Sequence, residues 1–474
     1  MRVLLSRRVL LVTLLLALLA PATSSAAPRM WVGFQDDPSF RWVDDRSDLL
    51  DRAAGANATV IRTTVYWSKV APTRPASAAN PFDPAYRLDD LDEFVRGAQA
   101  RGIEVMLTIW GTPKWAGPAQ NQLPRKLSDF QSFTRALAAR YSGRYTDYPY
   151  VRFFSIWNEP NRGIFLSPQF DKRGRSLAPQ LYAKLVRAGY AGLKAGNSLA
   201  VVGIGETASN GRDRKTSRSD RQDTHSPGKF AELLSKLRPR IKFDAWAHHP
   251  YPTSPSMKPT QKMRWPNVSL ASLPTFEKSL DKWFARKQVP VWITEYGHET
   301  KPDKRGISTA LQRTYLSKAF SIARKDARVQ MFVWFILSDH KGVAWESGLL
   351  TSTGVAKPAY ATFAAAARSV DARNAIVQVR GANPFVRFSA LPMSYYSPPG
   401  SPVGVAYQVW EDGLVIAGGV PLVTLGIDGW VTLPLEFTPQ AGRTYTVTLR
   451  ANQESGVVVQ RTITLLTTAL STRR

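Results

Sequence analysis

From Met30 onward the chain alternates short runs of β-branched and aromatic residues with longer stretches of helical periodicity, the pattern that parallel strands joined by crossover helices require. Residues 30–34, 59–65, 104–109, 151–157, 200–204, 243–247, 291–294 and 329–335 read as strands, eight in all. Between them, residues 90–100 place Leu91, Phe94 and Val95 on one helical face, and residues 130–141 do the same with Phe133 and Leu137. Comparable helical stretches follow at 181–195, 229–237, 275–286, 309–324 and 358–367. Eight strands with crossover helices predict a (β/α)8 TIM barrel. A doubly wound open sheet is the rival, but it needs a glycine-rich phosphate turn after its first strand, and Phe34-Gln-Asp-Asp-Pro-Ser39 is not one.

Helical periodicity stops near residue 375. Short alternating runs at 406–410, 414–417, 445–449 and 457–465, punctuated by Glu411-Asp-Gly413 and Gly418-Gly419, predict an immunoglobulin-like β-sandwich over 375–474, behind a catalytic-sized barrel unit at 28–372. At the other end, Arg2, Arg7 and Arg8 precede an apolar run at 9–20 and the small residues of 21–27, so residues 1–27 read as an export signal. The apolar run falls well short of the roughly 20 residues a membrane span needs. Ser6-Arg-Arg-Val-Leu-Leu11 suits a twin-arginine signal and the leucine-rich core suits the general secretory route, so both routes stay open. The expected place of work is outside the cytoplasm, without a stable membrane anchor.

The sequence contains no cysteine, which excludes disulfides, thiolate metal sites, a cysteine nucleophile and a lipidated cysteine. Its formal charge of +27 favours anionic polymers, such as those of a cell wall, as a surface partner. No nucleic-acid-binding motif accompanies that charge, so nucleic acid is not an expected partner. The run Arg212-Asp-Arg-Lys-Thr-Ser-Arg-Ser-Asp-Arg221 reads as a solvated loop, with a specific anion site as the sharper alternative. A metal is not expected, because His225, His298 and His340 do not stand at ligand spacing with His248 and His249. No cofactor is expected either, and the chain is expected to be a monomer.

In a TIM barrel the chemistry collects where strands end, at the C-terminal face. The fourth strand opens into Asn158-Glu159-Pro160-Asn161 and the seventh into Glu295-Tyr296-Gly297, so two glutamates are expected across one mouth. Cleaving a glycosidic bond with retention needs an acid for the leaving oxygen and a carboxylate to attack the anomeric carbon, roughly 5 to 5.5 Å apart. Environment must keep one carboxyl protonated and the other ionised. Arg62, in the second strand, is a candidate donor for the ionised one.

These residues resemble a clan of TIM-barrel retaining glycosidases, clan GH-A, which places its acid/base and nucleophile glutamates at the ends of strands four and seven. Trp157-Asn-Glu-Pro160 is similar to the acid/base motif, which implies Glu159 as acid/base and Asn158 as a partner of the sugar 2-hydroxyl. Ile293-Thr-Glu-Tyr-Gly297 is similar to the nucleophile motif and implies Glu295. His249-Pro-Tyr251 resembles the clan's His-x-Tyr, in which the tyrosine supports the nucleophile. Trp334 falls where the clan places a sugar-stacking tryptophan. Within the clan, Arg62 and His249-Pro-Tyr251 resemble the family 5 cellulase group, and Trp110-Gly-Thr-Pro-Lys-Trp115 resembles family 39.

The expected function is therefore hydrolysis of a β-linked polysaccharide or oligosaccharide by double displacement, with Glu159 and Glu295 catalytic. Asn158, Arg62, His249, Tyr251, Trp110, Trp115, Trp334 and Glu206 are the expected substrate-binding residues. Strand alternation lets only one of His248 and His249 face the mouth, and motif position selects His249. Transglycosylation and a non-catalytic wall-binding barrel are the rival functions. Glu299 reads as an exposed loop carboxylate.

Overall fold

The computed structural model describes residues 29–466 except 146–147, 217–218, 342–344, 374–375, 381–382, 395–396, 441 and 453–455. The export signal read over 1–27 lies outside the described residues. Among these, no helix is long and apolar enough to cross a membrane.

Eight parallel strands close on themselves in sequence order: β1 (Trp31–Gln35), β2 (Val60–Tyr66), β3 (Glu104–Trp110), β4 (Phe153–Ile156), β5 (Val201–Ala208), β6 (Ala245–His249), β7 (Val291–Tyr296) and β8 (Val329–Phe335). The ring shuts where β8 pairs with β1, Met331 opposite Trp31 and Phe335 opposite Gln35. Strand alternation divides the side chains into two cores. Val60, Met106, Phe153, Ala245, Trp292, Met331 and Val333 pack inside the barrel, with Trp31 and Trp292 edge-on against Phe153. Alternate residues such as Ile61, Leu107, Phe154 and Ile293 face the surrounding helices.

The helix Asp89–Ala100 buries Leu91, Phe94, Val95 and Ala98, and Ala178–Gly196 buries Tyr182, Leu185, Val186 and Leu193. Sequence periodicity finds these helices to within a few residues. It misses Asp37–Arg41 and Arg46–Gly55, which make the first crossover. The latter buries only Leu50 and Ala53, a stripe too narrow to stand out in a run of charges.

Beyond the barrel lie two antiparallel sheets. One orders β14 (Trp430–Pro434), β10 (Asn383–Ser389) and β9 (Ile376–Arg380); the other centres on β11 (Pro402–Glu411), β12 (Leu414–Gly419), β15 (Thr444–Asn452) and β16 (Val458–Leu466), with β13 (Leu422–Thr424) also paired to β11. Val386, Phe388, Val405, Val431, Val447 and Ile463 form a core of their own between them, a β-sandwich. The sandwich docks on the face opposite the barrel mouth. Arg152, just before β4, reaches Asp428 at 3.3 Å and lies over the Trp430 ring. Glu104, the first residue of β3, lies 3.7 Å from Arg152.

Candidate active site

At the end of β4 the backbone turns sharply, with Trp157 and Glu159 at φ 69° and 36°. Such left-handed values are uncommon for residues with a Cβ and persist only where neighbours hold them. Here the Glu159 amide donates to the Glu206 carbonyl at 3.1 Å, and the Trp157 ring nitrogen donates to the Phe165 carbonyl at 2.7 Å. The turn delivers Glu159 into a cleft of about 670 Å³, together with Asn158, Glu295, Tyr251, Gln35 and Tyr66.

Arg62 sits beneath that cleft, fully enclosed, and its guanidinium ties four groups together. It donates to Glu206 at 2.6 Å, to Glu295 Oε1 at 2.8 Å, to Asn158 Oδ1 at 2.8 Å and to Gln35 Oε1 at 2.9 Å. A fork of five donors with fixed geometry suits such a junction where a lysine would not. The second oxygen of Glu295 accepts the Tyr251 hydroxyl at 3.1 Å, so both its oxygens are held. Because Arg62 takes the amide oxygen of Asn158, the amide nitrogen is the end left for a ligand.

Nδ1 of His249 lies 3.1 Å from Glu159 Oε1 and 3.7 Å from Glu295 Oε2. The two carboxyl oxygens are therefore no further apart than the sum of those distances. Arg162 approaches the other oxygen of Glu159 at 3.4 Å. Burial alone would raise the Glu159 carboxyl, but the His249 hydrogen bond, with Arg162 and Arg62 nearby, holds it below its ordinary value. Burial also raises Glu295; His249 and Arg62 pull against it, and the charges of Glu159 and Glu206 leave it above its ordinary value. Burial would lower His249, but Glu295 and Glu159 together raise it. These directions run opposite to the expectation of a protonated Glu159 and an ionised Glu295, with the raised imidazole standing between the two. His248 points the other way, bonded to Thr207 and the Val268 carbonyl, and burial lowers it to about 4.

Not every residue singled out in the sequence reaches the cleft. Glu206 lies within β5 rather than beyond it, at an irregularity between Gly205 and Thr207, and is fully buried under Arg62, Ser155 and Thr108. Gly203 and Gly205 interrupt the β-branched run and make that strand look shorter than it is. Trp334 is enclosed, its ring nitrogen bonded to the Ser347 carbonyl, and faces the helices. Trp115 packs edge-on against Trp67 and donates to the Ala71 carbonyl, away from the cleft. Trp110 does line the cleft, edge-on to Tyr66.

Two aromatic rings missed in the sequence take the exposed positions: Trp42, 50 % exposed, and Trp345, 47 % exposed, at the cleft rim. Trp345 packs on Tyr251 and Phe335 with centroids 5.6 and 5.8 Å away. Nothing in sequence spacing separates such a tryptophan from a core one. The buried carboxylate of Asp36 was missed too. It accepts from Ser39 and from the Leu337 and Ser338 amides, bonds His340 at 2.8 Å, and so fastens the loop after β8 to β1.

The closed eightfold barrel thus holds Glu159 and Glu295 together in its mouth. The family model for cellulase, glycosyl hydrolase family 5, matches residues 25–340. The chain belongs to that family. This places it among glycosidases and resolves the choice between families 5 and 39 that the sequence motifs had left. No curated protein matches this chain. Among solved structures it is similar to a family 39 glycoside hydrolase from the gut symbiont Bacteroides cellulosilyticus, at 18 % identity over 87 % of this chain and 82 % of that one, TM-score 0.51. It is also similar to a family 5 subfamily 18 protein from Streptomyces cattleya in complex with GlcNAc, at 16 % identity over 72 % of this chain and 80 % of that one, TM-score 0.49. At such identities the likeness concerns the fold alone.

Proposed function

We propose that this family 5 glycosidase is an exported, retaining enzyme that hydrolyses β-linked glycosidic bonds, with Glu295 as nucleophile and Glu159 as acid/base. The observation that carries this reading is the placement of one His249 nitrogen between the two carboxyls, because it bounds the separation of their facing oxygens below most of the roughly 6.5 to 9.5 Å that an inverting pair needs. Glu295, held by Arg62 and Tyr251, attacks the anomeric carbon as its bond to the leaving oxygen breaks. Glu159 gives that oxygen the proton it shares with Nδ1 of His249. In the second step Glu159 takes a proton from water, the water oxygen bonds to the anomeric carbon, and Glu295 leaves as a carboxylate.

Asn158 offers its amide nitrogen to the sugar, and Trp110, Trp42 and Trp345 offer ring faces to the chain on either side. Arg62 and Glu206 serve the site from below, as positioning residues. The reading of residues 1–27 as a leader supports work outside the cytoplasm, with neutral or anionic wall carbohydrate as the substrate pool.

The test is the anomeric configuration of the first product, followed by proton NMR during hydrolysis of an aryl β-glycoside. A β-anomer formed first supports the double displacement, and an α-anomer formed first overturns it. Trapping with a 2-deoxy-2-fluoro glycoside should label Glu295; a label elsewhere removes it as nucleophile.

A further inference from the structure

The cleft does not end at Glu159. A second recess of about 490 Å³ adjoins it, and Arg162, Ile164 and Asn210 line both. Its far wall carries Arg212 and Arg221, so three guanidinium groups surround one hollow. The hollow is built by the fold rather than by a loose run of charge. Arg162 pairs with Thr224 in an isolated antiparallel bridge, the Gly163 amide donates to the Asp223 carbonyl at 2.8 Å, and the Arg212 amide donates to the Thr224 hydroxyl at 3.0 Å.

None of the carboxylates nearest in sequence forms an ion pair with Arg212 or Arg221 among the described residues. Asp213 accepts from the amide and hydroxyl of Ser226, Asp220 pairs with Lys215 at 3.5 Å, and Asp223 is buried with one oxygen accepting the Thr216 amide and the other without a hydrogen-bond partner among the described residues. Among the described residues neither Arg212 nor Arg221 forms an ion pair. Arg162 spends one edge on Glu159 and Asn210 and also lines the hollow. Solvated arginines left unpaired around a concave extension of a sugar cleft are a recognition surface for an oxyanion.

We propose that this recess is a subsite for an acidic sugar, whose carboxylate or sulfate ester is held by Arg212 and Arg221 beside Arg162. It rests on the reading of Glu159 as the acid: an acid must stand next to the leaving oxygen, so the space beyond it receives the leaving-group side of the chain. The substrate is then a β-linked polysaccharide with an anionic unit on that side of the scissile bond.

The test is calorimetric binding to the intact protein, with cleavage blocked by Glu295→Gln. The probes are β-1,4-linked gluco- and mannotetraose, each neutral, with a C6 carboxylate, or with a 6-O-sulfate on the reducing-end unit. At low ionic strength at least one anionic form should bind roughly tenfold more tightly than its neutral counterpart, as two or three exposed charge pairs can supply. The advantage should shrink with added salt. It should vanish in Arg212→Ala/Arg221→Ala and survive largely in Arg212→Lys/Arg221→Lys. Which anionic arm gains tells a uronate from a sulfate ester. Neutral forms binding as tightly as both anionic ones, a preference that persists in the double alanine variant, or no binding by any anionic tetramer would each overturn the subsite. Loss of the glutamate reading shows itself separately, as wild-type protein that turns over no glycoside or a Glu295→Gln variant that still does.

Discussion

Nδ1 of His249 and Oε1 of Glu159 stand 3.1 Å apart inside the barrel mouth, and the same nitrogen lies 3.7 Å from Glu295. In the proposed mechanism this contact lets acid and imidazole act as a single proton store. It also sets the expected pH profile of kcat/KM. As the proposed nucleophile Glu295 must be ionised to attack, and burial holds its carboxyl above its ordinary 4.5 against the neighbouring cations, so activity should fall as pH drops through that raised value. The stored proton leaves as pH rises through the raised value of His249, above its ordinary 6.5, where Glu295 and Glu159 outweigh burial. A bell with both limbs displaced upward is expected, and its alkaline limb should fade for substrates with good leaving groups, which need no acid. An alkaline limb identical for good and poor leaving groups would remove the store from the mechanism.

Replacing Glu159 by alanine should slow poor leaving groups by about 10²- to 10⁴-fold and good ones far less in the first step. Azide fits where the carboxyl was and should return a β-glycosyl azide. In Glu295→Ala the same anion should instead give the α-azide, since it then displaces the leaving group directly. Product analysis distinguishes the two; the same anomer from both variants contradicts the division of roles.

Arg62 donates to four acceptors, two of them carboxylates, so Arg62→Met leaves Glu206 and Glu295 without their guanidinium partner. Breaking a buried pair in this way typically costs about 3 to 5 kcal/mol, which a melting curve will show as a large fall in Tm. Because Arg62 lowers Glu295, the acid limb of any residual activity should also move to higher pH.

Much of this was legible in the sequence, for identifiable reasons. Buried parallel strands and amphipathic helices carry strong periodic signals, and Glu159 and Glu295 sit in short motifs at strand ends. Gly203 and Gly205 hide the length of β5, so sequence pattern alone sets Glu206 beyond the strand that contains it. Trp334 was drawn to the mouth by motif position, while the structure gives the exposed rims to Trp42 and Trp345. Those two depend on where loops fold back, which no local pattern records. The bridging of four side chains by Arg62 is likewise a property of closure, since its partners lie on β1, β5 and β7 and just after β4.

The tryptophans give a matched pair of variants. Trp345→Ala should raise KM for long oligosaccharides while leaving Tm nearly unchanged. Trp334→Ala should lower stability by about 3 to 5 kcal/mol, as truncation of a large core side chain does. Steady-state kinetics beside thermal melts on both proteins will decide between a rim and a core role for each.

At the opposite end of the barrel, burial pushes Glu104 up to about 7, with Arg152 pulling it down and Asp428 adding to the rise. A carboxyl that binds its proton more tightly when folded than its unfolded value near 4.3 stabilises at low pH, and that contribution is lost as pH rises through about 7. Glu104→Gln should therefore raise Tm at pH 8 relative to the wild type and change it little at pH 5. Parallel curves at both pH values would show that the side chain does not titrate there.

The groups gathered at the mouth come from both halves of the ring, Arg62 early in the chain and Glu295 near its last barrel strand. A nascent or partly opened protein therefore holds no half-competent centre: the proposed chemistry exists only once β2 and β7 are held in one ring. Loss of turnover on heating should then trace the same curve as loss of structure, and turnover becomes a sensitive gauge of how intact the whole ring is.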